Sequence, residues 1–355
     1  MKMEAFTFDD VLLVPSYNHY ESRKMVSTSV TDQTGKLNLS LPVMSSNMDT
    51  VTGADMANFM HHKGGIGVLH RFMTIQENID EFKKSPASTF VSVGASASEL
   101  ERAAALRDAG ANFFCVDVAH AHAKYIGKML KDLRALLGDR CIMAGNVATY
   151  AGADYLASCG ADILKVGIGG GSVCSTRIKT GFGVPTLASI QLCARADRSI
   201  VADGGIRTPG DIVKALAFGA DFVMIGGMLA GTRPTPGKVI TRTDGKKVKL
   251  YRGMASSEAQ QDYMDHLAEI GKLPEGQAPG WKMPEWKTAE GVQTEVTYRE
   301  DEDFILADII GGLRSGLTYA GAINIKELQR KLDYVMITQA GRLESLPHKT
   351  LDSRA

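Results

Sequence analysis

The chain lacks a charge excess, a long apolar run and a cysteine framework. Its 355 residues set 40 Lys+Arg against 40 Asp+Glu, with 44% hydrophobic residues. A disordered tail combines high net charge with few apolar residues, and a polybasic nucleic-acid binder needs net positive charge. Neither description fits. No apolar stretch approaches the ~18 residues of a membrane span, and Asp9 and Asp10 interrupt the apolar core that a signal peptide requires. We therefore expect neither a membrane nor a nucleic acid as partner. The five cysteines (Cys115, Cys141, Cys159, Cys174 and Cys193) are an odd set without metal-ligand spacing. They suit a reducing, cytoplasmic setting. The eight histidines also lack a metal pattern. His61 and His62 are adjacent, His120 and His122 have no nearby third ligand, and no H-E-x-x-H occurs; they are expected on the surface or at helix ends. What the chain has in excess is glycine, 37 residues, or roughly a tenth against a usual ~7%. Such an excess points to tight turns and to backbone brought close to a ligand.

From about Pro42 to Gly227 one unit recurs: a short apolar run ending in Gly, Asn, Asp or His, then a helical stretch. The runs are 42–45, 67–70, 89–93, 113–117, 141–145, 163–167, 200–203 and 222–226. They are near-continuously apolar, as expected of parallel strands covered on both faces. Between them, Leu100–Ala109 and Ile126–Leu137 carry apolar residues at helical spacing. Gly110, Gly160 and Gly219 punctuate helix ends. Eight such units predict an α/β fold, a (β/α)8 TIM barrel, with an open doubly wound sheet as the alternative. The barrel is preferred because polar and Gly-rich residues gather after each strand. We expect one domain over 1–355. Its N-terminal forty residues should wrap the barrel, and a polar excursion over about 252–302 reads as a mobile flap anchored by Trp281 and Trp286.

The densest chemical signal follows the sixth strand, Gly167-Ile168-Gly169-Gly170-Gly171-Ser172-Val173-Cys174-Ser175-Thr176-Arg177. A loop this rich in glycine exposes amides for an anion or carbonyls for a bare cation. Cys174 sits on that loop with Arg177 close enough to favour its thiolate, so it is the candidate nucleophile. The other four cysteines lie inside strand or helix patterns and are expected to pack. Asp203-Gly204-Gly205 and Gly226-Gly227 follow the seventh and eighth strands, where such barrels bind phosphate. Asp203 is placed to accept from ribose hydroxyls, since Thr208 or Asp211 can cap the next helix. Together these loops suggest a nucleotide. Lys165, inside the sixth strand, raises a Schiff-base aldolase as a rival, or simply pairs with an acid. Met44, Met48, Met224, Met228 and Met254 are expected to pack near the strand ends.

The segments Gly171–Arg177, Ser46-Asn47-Met48-Asp49-Thr50-Val51-Thr52, Ala144-Gly145-Asn146-Val147, Asp203-Gly204-Gly205 and Tyr251-Arg252-Gly253-Met254 together resemble the IMP dehydrogenase/GMP reductase family, in the right order from Phe8 to about the C-terminus. Between the two branches, the reductase resemblance is stronger. Phe82-Lys83-Lys84 runs straight into Ser85 and the third strand, where the dehydrogenase usually inserts CBS modules. No Arg-Tyr pair occurs in the flap, where the dehydrogenase carries one to activate water. Leu229-Ala230-Gly231-Thr232 and His70-Arg71 look more like the dehydrogenase. By resemblance, Cys174, Thr176 and Glu290 are catalytic in an NADPH-dependent deamination of GMP to IMP. Ser172, Asp203, Gly204, Gly205, Gly226, Gly227, Tyr251, Gly253 and Met254 hold the nucleotide. Ser22, Arg23, Arg71, Asp117, Val118, Ala119, Ile168 and Gly169 contact the cofactor. Gly169, Gly171, Cys174 and Arg177 lend carbonyls to a potassium ion, and the family implies a homotetramer. Departures are Arg71 where the reductase has Lys, Trp286-Lys287 in place of Tyr-Arg, an extra Ala255 and a longer flap. An IMP dehydrogenase without CBS modules and a non-catalytic purine-nucleotide-binding barrel remain the alternatives.

Overall fold

Eight parallel strands close on themselves around a largely apolar interior. In this computed structural model, which describes residues 5–274 and 276–347, they are β1 (Val43–Ser45), β2 (Ile66–Leu69), β3 (Phe90–Val93), β4 (Phe113–Asp117), β5 (Cys141–Val147), β6 (Ile163–Val166), β7 (Ser199–Asp203) and β8 (Phe222–Ile225). Each pairs with the next, and β8 returns to β1 through the register Met224 with Met44. The (β/α)8 barrel is thus the fold, and the open sheet is excluded. Phe90, Phe114 and Phe222 are among the largest fully buried side chains. Strands covered on both faces must be apolar at nearly every position, which is why alternation is missing from the sequence.

The covering helices are α1 (Ala54–His62), α2 (Ile75–Lys84), α3 (Ala97–Asp108), α4 (Lys124–Leu137), α5 (Tyr150–Ser158), α6 (Thr176–Thr180), α7 (Thr186–Cys193) and α8 (Pro209–Ala217). The last begins with a capping box in which Thr208 and Asp211 satisfy each other's backbone. Asp203 is thereby left free for another task. α10 (Glu302–Tyr319) and α11 (Ile325–Arg330) pack beside α8.

Residues 5–40 do wrap the barrel, from Asp9 against Arg207 on the loop after β7 to a hairpin at the floor. A hairpin of Val30–Thr31 and Asn38–Leu39 buries Val30, Leu37, Leu39 and Leu41. Gln33 N–H donates to Ser199 Oγ at the start of β7, and Lys36 Nζ reaches Asp162 before β6 at 2.9 Å. Strand Val11–Leu13 pairs with Tyr334–Met336 near the other end of the chain.

After β8 the chain makes a three-stranded antiparallel sheet, β9 (Ile240–Thr241), β10 (Lys247–Arg252) and β11 (Gln293–Thr297). Helix α9 (Ser257–Glu269) lies within the excursion. It is held to the barrel by a Phe72–Tyr263 ring stack at 5.2 Å and by His266 Nε2 to Glu77 Oε1 at 2.7 Å. The expectation of two docked tryptophans holds for one. Trp281 is half-buried beside Leu250 and Met283, whereas Trp286 is 85% exposed and anchors nothing. Among the described residues no helix is long and apolar enough to cross a membrane.

Truncating Phe114 to Ala empties a fully buried site on the helix-facing side of β4 and is expected to cost about 3–5 kcal/mol. Thr208→Ala, which loses one cap, should cost about 1 kcal/mol. Thermal denaturation followed by circular dichroism checks the ranking.

Candidate active site

The C-terminal ends of the strands open into three joined hollows. The central one, of about 220 Å³, is walled by Cys174, Thr176, Asn146, Lys165, Asp203 and Glu290, among others. On one side it merges with a hollow of about 830 Å³ through Ser46, Met48, Asp203, Gly204 and Tyr251. On the other it merges with a groove along His70, Arg71, Phe72, Asp117, Val118, Ala119, Lys287 and Thr288.

The β6 loop sets the candidate nucleophile in place. Gly167 and Gly169 have φ of 141° and 78°, a region costly for any residue with a Cβ. A Cβ on Gly169 would also stand 2.5 Å from the Arg177 side chain. The loop turns through Cys174 N–H to Gly171 O at 3.1 Å and presents Cys174, half-buried, to the central hollow. Its Sγ donates to Thr176 Oγ1 at 3.2 Å. Arg177 is not directed at the sulfur as expected. Its guanidinium donates to Ile168 O and Val184 O, because two carbonyls converge on it and hold the fork inside the loop. Cys115, Cys141, Cys159 and Cys193 are buried, as expected. Burial pushes the Cys115 and Cys193 thiols up to about 12.

The far end of the excursion closes over this loop by main-chain pairing. Ser175 N–H donates to Glu290 O at 2.9 Å, Val292 N–H to Val173 O at 2.9 Å, and Glu290 N–H to Ala255 O at 3.0 Å. Glu290 thereby stands on the wall shared by the central hollow and the groove.

Inside the mouth, Lys165 bridges two carboxylates, Asp117 Oδ1 at 2.6 Å and Asp203 Oδ2 at 2.9 Å. Burial disfavours the ammonium, but the two acids outweigh it and hold Lys165 well above its ordinary value. Burial likewise works against the Asp117 carboxylate, and Lys165 overrides it, leaving its pKa below the usual range. A lysine held charged between two acids is a poor amine nucleophile, so the Schiff-base rival loses its basis and the paired reading holds. Asn146 Nδ2 donates to Asp203 Oδ2 and to Gly167 O, while Asn146 Oδ1 is buried without a partner on the central wall. Both bonds to Asp203 thus fall on one oxygen.

The larger hollow gathers Ser172, Gly204, Gly205, Gly226 and Gly227 with Tyr251. Ser172 Oγ and Tyr251 OH lie 3.0 Å apart. Gly204 and Gly205 have φ of 90° and 82°, and a Cβ on Gly204 would stand 2.9 Å from Gly171 N, so the β6 and β7 loops meet backbone to backbone. A Cβ on Gly226 would meet Ser46 Oγ at 2.7 Å. Gly253 and Met254 line the central hollow, and Met254 Sδ accepts from Asp49 N–H at 3.2 Å. Met44 is a core residue and Met224, also buried, touches the larger hollow; Met48, Met228 and Met254 stand on the hollow walls.

Ser22 and Arg23 are not brought to these hollows. Ser22 caps a short helical turn, Arg23–Met25, which packs on α10. His70 corrects the expectation for histidines, since it stands on the groove wall. Burial pushes its imidazole down to about 4, and its Nδ1 accepts from Phe72 N–H. Asn146, Ser46, Asn47, His70 and Lys287 also line the site although sequence reasoning gave them no role. The available signal was a polar residue closing an apolar run, as Asn146 does in Ala144-Gly145-Asn146-Val147.

The family model for the IMP dehydrogenase / GMP reductase domain matches residues 5–348. The chain belongs to that family. It is 36% identical to mouse GMP reductase 2 over 344 residues, covering 94% of each chain. It is 31% identical to the inosine-5'-monophosphate dehydrogenase of Nitrosopumilus maritimus, covering 98% of this chain and 99% of that one. That alignment runs to 484 positions, so the archaeal relative carries inserted sequence that this chain lacks. The crystal structure of inosine 5'-monophosphate dehydrogenase from Legionella pneumophila superposes with a TM-score of 0.84 at 72% identity, over 95% of this chain and 100% of that one. The structure of a single-substitution variant of GMP reductase from Trypanosoma brucei, in complex with guanosine 5'-monophosphate, gives 0.86 at 28% identity, covering 98% of each. Family members are oxidoreductases that use a nicotinamide cofactor on purine mononucleotides, and the chain is an enzyme of that kind.

The exposure of the thiols and the buried charge at the mouth can each be tested. In native protein, iodoacetamide should modify Cys174 alone, the other four thiols reacting only after denaturation; intact-mass analysis counts the adducts. Lys165→Met should destabilise by a few kcal/mol, toward the low end of the ~3–5 kcal/mol for a broken buried pair, because the carboxylates keep partial access to water. In the wild type the depressed Asp117 adds stability above its unfolded pKa, and this is lost as pH falls through the lower folded value. Without the ammonium, burial raises the Asp117 carboxyl instead. The variant's deficit should therefore be largest near neutral pH and shrink as acid protonates Asp117, as melting temperatures across pH would show.

Proposed function

We propose that the chain is a GMP reductase, converting GMP to IMP and ammonia at the expense of NADPH. The observation that carries this reading is Glu290. The arm returning to Cys174 and Thr176 brings a carboxyl, and the excursion contains no Arg-Tyr pair to activate water. The 36% identity to mammalian GMP reductases supports it.

Cys174 attacks C2 of the purine and forms a C–S bond. Expulsion of the 2-amino group requires a proton, because an amide anion is a very poor leaving group. Thr176, which already accepts from the sulfur at 3.2 Å, and Glu290 supply that proton and release ammonia, leaving a thioimidate. A dinucleotide held along Arg71, Asp117, Val118 and Ala119 in the groove would supply the hydride that C2 accepts. The C–S bond then breaks, the electron pair returns to Cys174, and IMP leaves. Asp203 accepts the ribose hydroxyls on the oxygen that Lys165 and Asn146 do not occupy. The glycine amides and Ser172 and Tyr251 take the phosphate.

The residues present suit the groups the family implies. The unpartnered, buried Asn146 Oδ1 beside Cys174 matches a carboxamide N–H, and Asp117, Val118, Ala119, Ile168, Gly169 and Arg71 line the hollows beyond. Lys287 adds a second cation opposite, consistent with a phosphate-bearing dinucleotide. For potassium, the carbonyls of Gly169, Gly171, Cys174 and Arg177 are the donors. Those of Gly171 and Arg177 each accept one backbone N–H and keep a second lone pair for a cation. In a homotetramer, Ser22 and Arg23 would serve a neighbouring copy's cofactor rather than their own.

A second reading, an IMP dehydrogenase without inserted modules, is favoured by the 72% identical Legionella structure. Enzyme with GMP and NADPH should oxidise the nicotinamide and release ammonia; turnover confined to IMP and NAD would transfer the assignment to the dehydrogenase. Cys174→Ala should abolish turnover on either pair. Glu290→Gln and Thr176→Val should lower kcat by about 10²–10⁴ with smaller changes in KM for nucleotide.

A further inference from the structure

The excursion that carries Glu290 leaves β10 at Arg252 and returns at β11, and one side chain touches both ends. Arg252 is largely buried, its side chain 11% exposed. Its Nε and Nη2 donate to Asp49 Oδ2 at 2.9 and 2.6 Å, on the loop between β1 and α1. Nη1 donates to Asp262 Oδ2 of α9 at 2.5 Å and to Gln293 Oε1 of β11 at 3.2 Å. The fork thus grips the barrel with one arm and the outgoing helix and returning strand with the other. Its own amide donates to Thr50 Oγ1.

From Arg252 a short main-chain path leads to the reacting atoms. Gly253 N–H donates to Val292 O, Glu290 N–H to Ala255 O, and Ser175 N–H to Glu290 O. A shift of the Arg252 grip moves both strands of this path, and with them Glu290 relative to Cys174. Among the described residues no other cation bonds Asp49, and its Oδ1 is buried without a bond. Such an incompletely satisfied carboxylate is a costly fixture, and here its one gain is to fix the guanidinium.

We propose that Arg252 is a positioning residue that sets where Glu290 stands over the Cys174 loop. The proposal rests on the reading of Glu290 as the proton relay. Arg252 itself touches no reacting atom. It acts by fixing the register in which the excursion returns, and a misplacement of about 1 Å in such a relay can cost ~10²-fold in rate.

Arg252→Lys is the test variant. It retains a charge against Asp49 and so the fold, yet an ammonium cannot fork to Asp262 and Gln293 as well. Without ligands, hydrogen exchange in the peptides covering 173–176 and 288–292 should quicken in the variant, and unchanged exchange there would overturn the proposal. In turnover of GMP with NADPH, the variant should lose roughly ten- to a hundredfold in kcat. The double variant with Glu290→Gln should be no slower than Glu290→Gln alone, because both changes disable the same step. Losses that multiply would overturn the proposal, as would full kcat with only a lower melting temperature. Should the wild type turn over neither GMP nor IMP, the functional reading falls, and the exchange experiment still decides whether Arg252 fixes the arm.

Discussion

A single ammonium sealed inside the barrel mouth is the fixture around which the site is arranged. Lys165 contacts Asp117 on β4 and Asp203 on β7, strands that are not neighbours. Two carboxylates facing one hollow would repel each other and take up protons. With the lysine between them the Asp117 carboxyl is held below its usual range and both side chains are oriented, Asp117 toward the groove and Asp203 toward the larger hollow. Asn146 then occupies the same oxygen of Asp203 that Lys165 does, so the carboxylate's remaining oxygen faces the hollow.

Around this fixed centre the candidate nucleophile and the proposed proton relay belong to loops rather than strands. Cys174 rides on a glycine turn whose shape is held from behind by Arg177 and from above by the antiparallel pairing of Val173 and Ser175 with Val292 and Glu290. Main-chain bonds of this kind leave the identity of the side chains free, so the arm can change its sequence while keeping its path. This explains how Trp286-Lys287 and Ala255 are accommodated: Trp286 stands in solvent, Lys287 bonds Gln260 of α9, and Ala255 contributes its carbonyl to Glu290.

The barrel was legible because its signals are local. Continuous apolar runs such as Phe113–Val116, and glycine after helices, depend only on neighbours along the chain. The glycine loops and Cys174 were legible too, since no packing argument places a cysteine amid three glycines. The partners of long side chains were not. Arg177 lies three residues from Cys174, yet bonds Ile168 and Val184, because sequence distance does not say which way a guanidinium folds. Trp286 resembled an anchor by type alone. The pairing of Arg252 with Asp49, some two hundred positions away, leaves no trace in either segment.

The hairpin beneath the barrel has a mechanical meaning. It is latched by Lys36 to Asp162, just before β6, and by Gln33 to Ser199, at the start of β7. Those two strands carry the Cys174 loop and Asp203 at their opposite ends. Their feet are therefore braced from below as well as by the barrel's own ladder.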